Sequence, residues 1–255
     1  MKIISFYNYK GGTGKTTSSI NLAKGLANKG YRTLVIDLDG QANASSKLIN
    51  NNENLIGIAE VFDKKIDISK AIYNTTYENL FIIPSKLELE DIKESMNNNC
   101  QITILKKNLD KLEGQFDYVI LDNNPSYRIM LRNCVYATDL MIVPVNVDSN
   151  SIKGVDLTIR RILETIDESI TYLDVKIKVL LTKATRTKAS MKCVEDITGA
   201  FGDKMLNTVI KFQAAPAEKQ TFEDDYFMVD HPEKGVGTDY YKLVEEIEKE
   251  LKDND

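Results

Sequence analysis

Cysteine is scarce in this chain: Cys100, Cys134 and Cys193 are the only three among 255 residues. The number is odd and no two stand as Cys-x-x-Cys, which argues against a disulfide scaffold and a cysteine-rich zinc site. Ordinary reduced thiols in a cytosolic protein are the expectation. Histidine occurs once, as His231. One imidazole cannot build a multi-histidine metal site, and the polar stretch before Pro232 reads as a loop. No apolar run approaches the roughly 18 residues that a membrane span needs. The amino terminus turns polar within a few positions of Ile3 and Ile4, so no signal peptide is expected. A basic excess is also missing: 33 Lys and Arg against 38 Asp and Glu leave a formal charge of −5. That balance gives no support to a polybasic, histone-like protein and leaves nucleic-acid binding to a local patch.

What is present is an ordinary globular composition, 42% hydrophobic and 28% charged. Short apolar runs recur along the chain. They stand at residues 3–7, 33–37, 80–84, 118–122, 140–145, 176–181 and 206–210. They are continuously apolar rather than alternating, as strands covered on both faces are. Helical spacing lies between them: Ile20, Ala23, Leu26 and Ala27 fall on one face of residues 17–29, with Gly30 as a stop signal. The pattern predicts an α/β fold, a doubly wound and mostly parallel sheet flanked by helices. No internal repeat or long linker interrupts it. The polar stretches Asn50-Asn51-Asn52-Glu53-Asn54 and Asn97-Asn98-Asn99 are too short to be domain linkers, so one domain over 1–255 is expected. Residues 240–251 place Tyr240, Leu243, Val244, Ile247 and Leu251 on one face, with Glu and Lys opposite. This reads as a helix packed on the sheet. Its acidic character and the ending Asp253-Asn254-Asp255 disfavour a membrane-surface role.

The informative segment is Lys10-Gly11-Gly12-Thr13-Gly14-Lys15-Thr16-Thr17, between the first strand and the first helix. Glycines let successive N–H groups turn toward phosphate oxygens, and the helix start adds partial positive charge. Lys15 can reach β- and γ-phosphates, and the Thr16 hydroxyl can ligate Mg²⁺. Tyr9 stands where the standard loop has its first glycine; an additional lysine, Lys10, precedes the glycines instead. A phosphate site also needs carboxylates at the carboxyl ends of neighbouring strands. Asp37 and Asp39 end the second strand, and Asp122 ends the strand at 118–121. A carboxylate after four apolar residues is the Walker-B arrangement.

These residues resemble the deviant Walker A ATPases, and within them the ParA/Soj group of DNA-partition ATPases. The loop from Lys10 to Thr16 carries the likeness, followed by Asp37-Leu38-Asp39 with Gln41 and Asn43. Asp122 with Pro125 and Ser126 continues it. Supporting similarity extends through 80–86, Leu180-Leu181-Thr182 with Arg186-Thr187, Val209-Ile210 with Ala215-Pro216, and Lys234-Gly235. Two places depart from the family pattern. Gly40 and Asn124 stand where the family usually has proline, which predicts more relaxed switch loops.

The resemblance implies a P-loop ATPase with ATP and Mg²⁺ as cofactors. Lys15 and Thr16 would hold the β/γ-phosphates and Mg²⁺, with Thr17 at the α-phosphate and Gly11, Gly12, Thr13 and Gly14 lining the loop. Asp39 would orient the attacking water and belong, with Thr16 and Asp122, to the Mg²⁺ site, where Asp122 would act through water. Lys10 would reach across an ATP-dependent homodimer to the partner's nucleotide. The base would lie near Lys211 to Pro216. Non-specific double-stranded DNA would meet Lys183, Arg186, Lys188, Lys192, Lys211 and Lys219. A ParB-like centromere-binding partner would stimulate hydrolysis, and the protein would be cytoplasmic and nucleoid-associated.

Other families that share the loop fit less well. A MinD-like positioning ATPase, or another superfamily member acting on a membrane or protein cargo, is the alternative. The MinD type calls for a basic amphipathic tail. A relative of the nitrogenase iron protein would need cluster cysteines, a pattern that Cys100 and Cys134 do not fit. A tyrosine autokinase would carry a tyrosine-rich tail, whereas the twelve tyrosines here are scattered. The first strand begins by residue 3, so no amino-terminal operator-binding domain is expected.

Overall fold

The computed structural model describes residues 1–50, 54–63, 66–95, 101–125, 128–148, 151–169, 173–223 and 225–252, with backbone alone at 93–95. The expectations for 51–53, 97–99, Cys100, Ser126 and 253–255 fall outside the described residues.

One eight-stranded sheet organises the chain. Its strands are β1 (Lys2–Phe6), β2 (Thr33–Leu38), β3 (Tyr73–Asn74), β4 (Leu80–Ile83), β5 (Tyr118–Asn123), β6 (Leu140–Asn146), β7 (Lys176–Ala184) and β8 (Met205–Lys211). The order across the sheet is β3-β4-β2-β5-β1-β6-β7-β8, and every pairing is parallel except β3 with β4. Seven strands stand where the apolar runs predict them. β3 escapes sequence reading because two residues on a sheet edge leave no periodic signal.

The runs are continuous because side chains alternate between two buried faces. In β2, Leu34, Ile36 and Leu38 enter one core, while Val35 enters the other. In β1, Ile3 faces the first core, and Ile4 and Phe6 face the second. Helices cover both faces. On one side lie α6 (Arg128–Ala137) and α7 (Ser151–Asp167); on the other lie α1 (Lys15–Asn28) and α10 (Gly235–Lys252). The remaining helices are α2 (Asn43–Leu48), α3 (Ile58–Asp63), α4 (Glu88–Ser95), α5 (Ile104–Leu109), α8 (Lys188–Phe201) and α9 (Ala214–Phe222).

α1 starts at Lys15, two residues before its apolar stripe predicts. It stops as predicted: Gly30 has φ +91° and its N–H donates to the Ala27 carbonyl at 2.9 Å. α10 buries Val236, Tyr240, Leu243, Val244, Ile247 and Leu251. It approaches α1 closely at Gly25, where an added Cβ would lie 2.5 Å from Val244 Cγ2 and 2.9 Å from Val229 Cγ2. His231 ends a short 3₁₀ turn and stacks on Tyr226 at 4.9 Å, in keeping with a loop residue.

β1 lies between β5 and β6, so the chain winds outward in opposite directions from it. Such a switch point opens a crevice at the carboxyl ends of the strands. The loop leaving β1 enters that crevice.

Candidate nucleotide site

Residues 7–14 join β1 to α1. Gly12 (φ +71°) and Gly14 (φ +86°) take left-handed backbone, which side chains with a Cβ disfavour and which lets successive amides converge. The loop is fixed from behind. Asn8 Nδ2 donates to the Pro144 carbonyl at 2.8 Å, and its Oδ1 accepts from Lys10 N–H at 2.9 Å. Lys15 is buried and its Nζ donates to the Lys10 carbonyl at 3.2 Å. Burial lowers its pKa, opposed by the charges of Asp122 and Asp39. A cation held dry in front of a helix start is suited to an anionic ligand. Lys10 instead projects outward, where Nζ pairs with Asp148 at 3.1 Å.

The register of β2 and β5 sets Asp37 opposite Asp122. Both are buried, and burial raises the pKa of each. Their surroundings then divide their roles. Asp37 accepts the N–H groups of Asp39 (3.0 Å) and Ser45 (2.8 Å) and the Ser45 hydroxyl (2.7 Å). It holds the loop between β2 and α2. Neither carboxylate oxygen of Asp122 has a hydrogen bond of good geometry, although the Thr16 and Ser19 hydroxyls lie near enough to oppose its pKa rise. Ser19 gives its own proton to the Thr16 carbonyl at 2.9 Å. The Thr13 hydroxyl of the loop is also buried and unpartnered.

Orphaned buried oxygens of this kind are costly unless a ligand engages them. An orphaned carboxylate, a hydroxyl at the helix start and a dry lysine fit a metal–triphosphate. Among the described residues no three His, Cys, Asp or Glu side chains converge as a metal cage. Mg²⁺ suits such a place, because it keeps waters and takes ligands from phosphates.

Asp39 sits at the rim. Its Oδ1 accepts from Gln41 N–H at 3.1 Å and from Asn124 Nδ2 at 2.8 Å. Gly40 is buried and donates its N–H to Glu90 Oε1 of α4 at 3.0 Å; a Cβ there would lie 2.4 Å from that oxygen. Hydrogen bonds tie both positions at which the family's proline is missing. Asn124 and Glu90 fasten both switch loops by hydrogen bonds, and a proline at 40 would remove the bonded N–H.

Beyond the loop opens a cavity of about 540 Å³, lined by Gly14, Thr16 and Thr17 at one end and Ile210, Phe212, Met228 and Tyr240 further along. Lys211 lies on its wall, paired with Asp239 at 2.8 Å. Pro216 is in the first turn of α9 and does not line the cavity, whose wall there is Gln213, Ala217 and Gln220. The lysines and arginine singled out for DNA are exposed but differently engaged. Arg186, Lys188 and Lys192 are on the surface before and along α8. Lys219 lies over the Tyr226 ring, and Lys183 Nζ donates to the Gly12 carbonyl at 2.7 Å. Asn124, Glu90, Asn146 and Lys183 carry site contacts that sequence reasoning did not assign, since no motif marks them.

A family described as an AAA domain matches residues 1–179. The chain is 31% identical over 221 residues to the chromosome-partitioning ATPase Soj of Treponema pallidum (strain Nichols), covering 85% of this chain and 87% of that protein. A plasmid partition protein from Borrelia burgdorferi B31 bound to AMPPNP superposes with a TM-score of 0.78 at 25% identity, covering 98% of each chain. Cobyrinic acid a,c-diamide synthase from Mycobacterium smegmatis, with bound ATP analogue and magnesium, superposes with a TM-score of 0.76 at 26% identity over 92% of this chain and 96% of that one. With the phosphate loop, the paired carboxylates and the sheet order in place, these similarities make the chain a member of the ParA/Soj-type partition ATPases, within the P-loop ATPases.

Proposed function

We propose that this protein is a partition ATPase that binds ATP with Mg²⁺, dimerises on it, and then holds double-stranded DNA without sequence preference. A ParB-like partner stimulates hydrolysis and release. The observation that carries this reading is the placement of two lysines on one loop. Lys15 is buried at the helix start with its Nζ on the Lys10 carbonyl, while the Lys10 side chain projects from the loop's outer edge. The Lys10–Asp148 pair joins two half-exposed groups, an arrangement worth about 0–1 kcal/mol. A phosphate on a facing copy outcompetes it readily, because charge-assisted bonds to phosphate in a closed interface are stronger.

In this reading Lys15 and Thr16 hold the β/γ-phosphates, Thr17 the α-phosphate, and Asp122 orients the metal's water shell. Asp39 positions the attacking water, with Asn124 holding its carboxylate in place. Mg²⁺, when bound, neutralises charge on the phosphates. The base lies in the cavity beside Lys211. Exposed Arg186, Lys188 and Lys192 supply a local cationic surface despite the net charge of −5, so DNA affinity falls steeply with salt. The membrane-bound alternative is disfavoured because α10 spends its apolar stripe on the core.

The test is gel filtration with ATP or a non-hydrolysable analogue, with and without DNA, for wild type, Lys10→Ala and Lys15→Ala. ATP should shift wild type to a dimer that binds DNA. Lys15→Ala should lose nucleotide, and Lys10→Ala should keep nucleotide but lose dimer and DNA together. DNA binding by a nucleotide-free monomer refutes the reading.

A further inference from the structure

We infer that Lys183 is a positioning residue for the phosphate loop, fixing the direction of the amides that receive the nucleotide; the inference rests on the ATP site proposed above. Three observations lead to it. First, Lys183 has φ +56°, one of only three non-glycine residues with positive φ among those described. Left-handed backbone in a lysine is strained and persists only where the surroundings impose it. The strain falls at the tip of β7, where the register with β8 shifts between Leu181 and Ala184.

Second, the twist sends the side chain onto the loop. Lys183 Nζ donates to the Gly12 carbonyl at 2.7 Å, and Asn146 Nδ2 donates to the same oxygen at 3.2 Å. Third, its neighbour acts on the next residue. Thr182 Oγ1 donates to the Thr13 carbonyl at 2.9 Å. Two successive carbonyls of the loop are thus held by the tips of β6 and β7.

The consequence follows from the planarity of the peptide unit. In a trans peptide the C=O and the following N–H point in opposite directions. Holding the Gly12 oxygen outward turns the Thr13 N–H to the other side, and holding the Thr13 oxygen does the same for the Gly14 N–H. Gly11, Gly12 and Gly14 would otherwise leave this stretch free to flip. The ammonium also polarises the peptide it touches, which strengthens the opposite N–H as a donor. Lys183 therefore acts on ATP through the loop, and its contact with the loop sets it apart from the solvent-facing cations of the expected DNA surface.

The strain makes the test clean, because glycine relieves it while removing the ammonium. Wild type, Lys183→Gly and Lys183→Arg are compared for thermal melting without nucleotide and for titration with Mg²⁺ and ATP by calorimetry. Lys183→Gly should melt at or above the wild-type temperature yet bind ATP about tenfold more weakly, the loss of one charge-assisted bond. Lys183→Arg, which restores the donor, should stay within threefold of wild type. Lys183→Gly binding within threefold of wild type overturns the inference. So does a loss of affinity accompanied by a lower melting temperature, or by an equal loss in Lys183→Arg. A variant that keeps ATP affinity but loses DNA also overturns it. Wild type that binds no ATP overturns the site reading itself, a result distinct from all of these.

Discussion

Replacing Asp122 by asparagine removes one of two carboxylates that the pairing of β2 and β5 sets side by side in a dry interior. Burial, then repulsion from Asp37, pushes the Asp122 carboxyl from 3.8 up to about 7. A carboxyl whose pKa rises on folding holds its proton more tightly in the native state. Native stability is therefore greatest below the unfolded pKa and is lost as pH rises through the folded one. The asparagine variant escapes that loss. With each tenfold change in proton affinity equal to about 1.4 kcal/mol, a carboxyl lifted from 3.8 to about 7 costs the native state several kcal/mol by pH 8. The amide that replaces the carboxylate must itself be desolvated, at about 1–3 kcal/mol. The net expectation is a gain of about 1–3 kcal/mol at pH 8, or roughly 2–10 °C for a chain of this size. At pH 5, 1.2 above the unfolded value of 3.8, the loss is only roughly 2 kcal/mol, which the cost of burying the amide cancels, so the gain disappears. Urea denaturation of both proteins from pH 5 to pH 8, without metal or nucleotide, measures the difference directly. An asparagine variant that is less stable at pH 8, or whose advantage is the same at both ends, refutes the reasoning. The same substitution should abolish magnesium-dependent hydrolysis, so stability and activity move in opposite directions.

Gly25→Ala sets two effects against each other. Helix propensity favours alanine by about 1 kcal/mol, whereas a Cβ 2.5 Å from Val244 Cγ2 and 2.9 Å from Val229 Cγ2 overpacks the α1–α10 contact at about 1–3 kcal/mol. Thermal melting should show a net loss of about 1 kcal/mol, recovered in part by pairing it with Val244→Ala. Asn124→Ala removes the 2.8 Å bond to Asp39 Oδ1 and should lower the ATP turnover number about tenfold with little change in KM; steady-state ATPase assays decide it, and a change confined to KM counts against a role in water positioning.

Much of this molecule is legible in its sequence because its signals are local. Seven apolar runs mark seven strands, and Gly12 and Gly14 mark a backbone that only glycine adopts cheaply. Asp122 is legible because it follows four apolar residues, and its orphaned oxygens give that position a chemical meaning. Contacts made at long range are not legible. Nothing near Glu90 announces that its carboxylate accepts from Gly40 fifty residues earlier, or that Lys183 reaches Gly12 across 171 positions. Lys183 shows the limit well. As a lysine in a basic stretch it reads as a surface charge, and only its left-handed backbone and the loop carbonyl beneath it assign it elsewhere. The partners at the two proline-free positions are equally silent, since Asp39 and Glu90 stand far along the chain from Asn124 and Gly40.

The sheet order separates two kinds of machinery. β2 and β5, with Asp39 and Asp122, flank β1 on one side; β6 and β7, leading into the basic stretch around α8, flank it on the other. The strip of backbone at residues 11–14 lies between the two wings. That strip touches the far wing at Asn146, Thr182 and Lys183. Asn8 on the Pro144 carbonyl and Lys10 on Asp148 add two more ties between the same loop and that wing. A phosphate loop gripped from one wing and facing carboxylates on the other thus sits where a change on either side is felt.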